Sequence, residues 1–119
     1  MPGKKALTAA LFLSIAILLP RLAFAHAVLV SSTPAANAEV HGGNVAVELR
    51  FNSRVDGQRS HLTLVTPGGQ TQMLPLDNQS GPTALDSHVV LKPGHYSIRW
   101  QALSTDGHIT RGEIPFIVR

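Results

Sequence analysis

The clearest pattern in the chain is strict alternation. Val45, Val47, Leu49 and Phe51 take turns with Ala46, Glu48, Arg50 and Asn52. A period of two gives a strand one dry face and one wet face. The same reading predicts strands over residues 27–31, 61–66, 70–74, 87–91, 96–103 and from Gly112 or Glu113 to Val118. In residues 96–103, Tyr96, Ile98, Trp100 and Ala102 share one face, and the core is the natural place for the Trp100 ring. Turn formers separate these runs: residues 32–37 around Pro34, His41-Gly42-Gly43-Asn44, the loop 52–57, Pro67-Gly68-Gly69 and Lys92-Pro93-Gly94. Residues 75–86 read as a longer polar connection, and residues 104–108 as a loop before the last strand. No stretch after residue 25 sustains a helical period. The expected fold class is all-β, a Greek-key β-sandwich or small barrel of about seven strands.

The first 25 residues follow a different rule. Basic Lys4-Lys5, an apolar run over residues 6–19 and the small-residue box Ala23-Phe24-Ala25 make the three parts of an export signal. The run is shorter than the roughly 18 to 20 residues that cross a bilayer comfortably, so cleavage is expected rather than anchoring. The uncleaved alternative would keep residues 1–25 as an N-terminal anchor. The predicted organisation is a signal peptide at 1–25 and one β domain at 26–119, exported to the periplasm with no membrane anchor after cleavage.

Removing the signal changes the charge. The whole chain carries 10 Lys and Arg against 7 Asp and Glu, but Lys4, Lys5 and Arg21 leave with residues 1–25, and the two signs then balance. Basic residues stand singly, without the patch and aromatic interleaving that bind a phosphate backbone; no nucleic-acid partner is expected. The chain has no cysteine, so a small exported domain must rely on its packed core and on whatever it binds.

Cleavage after Ala25 would make His26 the first residue. An N-terminal histidine offers a metal its amine and its ring Nδ1 in one chelate. Asp106 and His108 lie two apart, which on extended backbone puts both on one face. Three nitrogens and one oxygen suit tetragonal Cu(II), which heads the divalent affinity order. An Asp-x-His triplet alone is also what a capped turn with an exposed histidine looks like. His41, His61, His88 and His95 read first as surface or edge residues.

At this point the chain resembles the CopC family of periplasmic copper-binding proteins. The resemblance is carried by Ala25-His26-Ala27, Ser32-Thr33-Pro34-Ala35, Val47-Glu48-Leu49-Arg50-Phe51, Pro93-Gly94-His95-Tyr96-Ser97-Ile98-Arg99-Trp100, Ser104-Thr105-Asp106-Gly107-His108 and Gly112. It covers nearly all of residues 26–119, and the run from Trp100 through Ser104 to Asp106-Gly107-His108 is its most specific part. It implies an immunoglobulin-like Greek-key sandwich and a Cu(II) site made by His26, Asp106 and His108, with Trp100 close enough to report on bound copper. It also implies a role in copper resistance or homeostasis, and delivery to a CopD-type inner-membrane copper transporter, expected here as a separate protein. Some family members bind Cu(I) through a methionine-rich loop. This chain has 2 methionines, one of them Met1, so no strong Cu(I) site is expected.

No nucleophile elbow, phosphate-cradling glycine loop or cysteine nucleophile is present, and the expectation is a binding protein rather than an enzyme. Two other readings remain: a metal-free exported binding sandwich that happens to begin with histidine, and a small copper monooxygenase, since those enzymes also chelate through an N-terminal histidine.

Overall fold

The computed structural model describes residues 26–78 and 81–119. The expected signal segment, residues 1–25, lies outside the described residues. Among the described residues there are eight strands and no helix: β1 (Leu29–Thr33), β2 (Ala38–Val40), β3 (Gly43–Phe51), β4 (His61–Val65), β5 (Thr71–Leu74), β6 (Ala84–Leu91), β7 (Gly94–Leu103) and β8 (Ile109–Val118). They form a three-stranded sheet in the order β1-β3-β6 and a five-stranded sheet in the order β2-β8-β7-β4-β5.

Alternation explains how the sheets meet. Val45, Val47, Leu49 and Phe51 of β3 turn inward against Leu62, Leu64, Ile98, Trp100, Ala102, Ile114, Phe116 and Val118 of the larger sheet. Phe51 meets Trp100 edge to face, with ring centroids 5.4 Å apart, and joins the two layers. The expectation for the inner face of β7 holds: Ile98, Trp100 and Ala102 are buried and Tyr96 is half-buried.

Three elements differ from the sequence reading. β2 was not foreseen. It is three residues long, too short to show a period, and is fixed by parallel pairing with the end of β8. β6 begins at Ala84, inside the stretch expected to be a loop, because Ala84 and Leu85 are both buried and blur the alternation. Asp86 then stands opposite Glu48 in the β3–β6 pair and reaches diagonally to Arg50, 2.5 Å from its guanidinium.

β8 likewise begins at Ile109, and Gly112 lies within it rather than at its start. Gly112 pairs with Trp100, and a Cβ there would come within 2.5 Å of the indole. The glycine is a seat for the ring and not a break in the strand.

The same sandwich carries the chain just before β1 to the loop between β7 and β8. Asn52, at the end of β3, clamps Val28 twice: its side-chain oxygen accepts from the Val28 amide at 2.8 Å, and its own amide donates to the Val28 carbonyl at 3.0 Å. Thr110, at the start of β8, donates its hydroxyl to the Ala27 carbonyl at 2.9 Å. Ala27 is fully buried. His26 therefore follows the fold's geometry instead of trailing from it.

Candidate metal centre at the first strand and the last loop

Residues 104–108 form a closed turn. The Gly107 amide donates to the Ser104 carbonyl at 2.9 Å and the Ser104 amide to the His108 carbonyl at 2.8 Å. Gly107 has φ +94°, a conformation that glycine adopts without the steric cost other residues meet. The turn is anchored to the β3–β4 connection by a bridge between Ser104 and Val55 and by the Thr105 amide on the Arg54 carbonyl at 3.3 Å.

Asp106 is held inside this turn. Its Oδ1 accepts the Ser104 hydroxyl and the His108 amide, the latter at 3.2 Å. Its Oδ2 lies 3.1 Å from Nδ1 of His108. The Ser104 hydroxyl above all, then the His108 amide, hold the Asp106 carboxyl down to about 2. An ionised carboxylate only accepts, so the Nδ1 that faces it is the nitrogen that donates, and Nε2 is the one left to offer a lone pair.

His26 completes the corner. Its ring meets that of His108 edge to face, centroids 4.5 Å apart at 87°. The three residues singled out in the sequence thus lie together in pairs, His26 with His108 and His108 with Asp106. Among the described residues, no set of three histidine, cysteine, aspartate or glutamate side chains yet converges on one point. His108 and Asp106 keep about half and two-fifths of their side-chain surface exposed, 54% and 39%, and have room to turn. In the uncleaved chain the nitrogen of His26 is in a peptide bond with Ala25, so its donor strength depends on cleavage.

The other four histidines are exposed. His95 sits at the end of β7 remote from Ser104, and His88 lies on β6 with Asp77 at 3.4 Å from its Nδ1. A groove of about 530 Å³ lined in part by His61, Met73, Arg99 and Arg111 opens elsewhere on the larger sheet. Sequence reasoning missed the positioning residues Asn52 and Thr110, whose bonds cross the whole chain and leave no local pattern. Ser104 was visible in the motif, but its role was not.

A family model described as the CopC domain matches residues 29–119. The chain belongs to the CopC family. That is a family of periplasmic copper resistance and transport proteins. Two curated relatives are similar along most of this chain. "Protein YobA" of Escherichia coli (strain K12) is 34% identical over 100 residues, covering 81% of each chain. "Copper transport protein CutJ" of Bacillus subtilis (strain 168) is 29% identical over 110 residues, 86% of this chain but only 20% of that protein. Among solved structures, the CopC of Methylosinus trichosporium OB3b superposes with a TM-score of 0.69 at 29% identity, covering 78% of this chain and 93% of that one. The expectation of a CopC-type all-β sandwich holds, with eight strands rather than about seven.

Proposed function

We propose that this chain is exported to the periplasm, cleaved between Ala25 and His26, and there binds Cu(II) at the corner made by His26, Asp106 and His108. The amine and Nδ1 of His26 form the chelate and His108 adds an imidazole nitrogen. Asp106 adds Oδ2, which exchanges its contact with the imidazole proton for the ion, and a negative charge that offsets the cation. Nitrogen and carboxylate donors in this proportion suit Cu(II), whereas Cu(I) prefers sulfur; Met73 is the one methionine after residue 25.

The observation that carries the reading is the contact of the His26 and His108 rings at 4.5 Å. It joins the residue that cleavage would free to the turn that holds Asp106. The protein buffers copper or passes it on, and a CopD-type membrane transporter is the natural recipient. The similarity to a copper transport protein supports a role in movement of the metal.

A Cu(II) titration of the protein beginning at His26, followed by electron spin resonance, tests this. A tetragonal signal with nitrogen hyperfine structure at one equivalent is expected. Spectra of free aqueous Cu(II) throughout would leave a metal-free binding sandwich as the better description.

A further inference from the structure

We propose that Ser104 is the positioning residue of the corner: its buried hydroxyl decides which oxygen of Asp106 faces the imidazoles. Only the metal-binding arm of the test rests on the Cu(II) reading.

Ser104 is 4% exposed and does not reach the ring corner itself. Its backbone is pinned on both sides, by the amide bond to the His108 carbonyl at 2.8 Å and by the Gly107 amide on its own carbonyl at 2.9 Å. The bridge to Val55 adds a third restraint from another part of the chain. The hydroxyl is thus a fixed donor.

A serine hydroxyl has one proton, and two acceptors lie within reach: Oδ1 of Asp106 and the His108 carbonyl at 3.1 Å. The carbonyl already accepts the Ser104 amide, and a carboxylate is the stronger acceptor because it is charged. The proton therefore goes to Oδ1. Together with the His108 amide at 3.2 Å on the same oxygen, this leaves Oδ2 turned toward His108 Nδ1 at 3.1 Å. Without the hydroxyl, Oδ1 keeps one long bond from a backbone amide. A side chain as exposed as Asp106 then turns toward water, and Nδ1 of His108 loses the acceptor that faces it.

Three measurements on the processed protein decide the matter. The first reads ring nitrogen shifts of metal-free His108 by NMR, in the wild type, Ser104→Ala and Ser104→Thr. The wild type and Ser104→Thr are expected to favour the form with the proton on Nδ1, and Ser104→Ala to lose that preference. The same three proteins titrated with Cu(II) are expected to show a loss of about 10- to 100-fold for Ser104→Ala, the size typical of groups that orient a ligand from behind, with recovery in Ser104→Thr. A folded Ser104→Ala with wild-type nitrogen shifts and wild-type affinity would overturn the proposal.

If the wild type itself binds no Cu(II), the functional reading falls while the nitrogen shifts still judge Ser104. The third measurement needs no variant: the Ser104 hydroxyl proton in the wild type is expected to exchange slowly enough to be seen by NMR. Exchange as fast as that of an exposed serine overturns the assignment even if Ser104→Ala fails to fold.

Discussion

Two histidine–aspartate pairs in this molecule look alike at first. His108 has Asp106 at 3.1 Å from Nδ1, and His88 has Asp77 at 3.4 Å from the same atom. Their side-chain exposures are close, 54% and 39% against 60% and 43%, so burial does not separate them. What separates them is company. His108 has a second imidazole against its ring, and its carboxylate shares a closed turn with it and takes a buried hydroxyl. His88 projects from the edge strand β6, its carboxylate comes from the connection before that strand, and among the described residues its ring meets no other ring. A contact between two exposed side chains is by itself of small consequence; donors that converge and are held from behind can bind a metal.

The largest expected difference between the two is in copper affinity. In the processed protein His108→Ala should weaken Cu(II) binding roughly a hundredfold or more, at or beyond the upper end for groups that only orient a ligand. His88→Ala should leave it unchanged within error. Competition titrations against a chelator of known strength read both, and equal losses would erase the distinction. Next in size is Gly112→Ala. The added methyl would meet the Trp100 indole at 2.5 Å, and overpacking of this kind costs about 1–3 kcal/mol. A melting curve should show a drop of several degrees, with the strands that carry the copper corner affected before the β3–β6 pair near His88.

A smaller effect is expected from Thr110→Val, which removes the 2.9 Å bond to the Ala27 carbonyl and costs about 1 kcal/mol. Hydrogen exchange should quicken at residues 27–29 and Cu(II) affinity should fall severalfold, with β6 untouched. The finest test is pH. Asp106 is held below its unfolded value, so its carboxylate contributes full stability above the ordinary range near 3.8 and loses it as pH falls through about 2. Carbon NMR of the carboxyl should show that midpoint, and Ser104→Ala should move it upward.

How legible this was depended on the range of the forces involved. β3 and β7 could be read because each is long and half-buried, so burial imprints a period of two on them. The start of β6 could not, because Ala84 and Leu85 are both buried and Asp86 is explained only by Arg50 on another strand. Gly112 reads as the start of a strand until its partner Trp100 is known. β2 is defined by what it pairs with and has no pattern of its own. At the candidate centre, Asp106 and His108 were legible from local spacing and their tie to His26 from a family resemblance. The clamps of Asn52 and Thr110 on residues 27 and 28 were not, since each is a single hydrogen bond or pair joining distant parts of the chain.

The most direct test of the account compares two proteins that differ by one residue: the chain beginning at His26, and the same chain with one alanine placed before it. The fold and every side chain are shared, and only the amine is moved. The account predicts that the first binds Cu(II) far more tightly and with more nitrogen hyperfine structure than the second. Equal affinity with identical spectra would contradict it, because the His26 amine would then have no part in holding the metal.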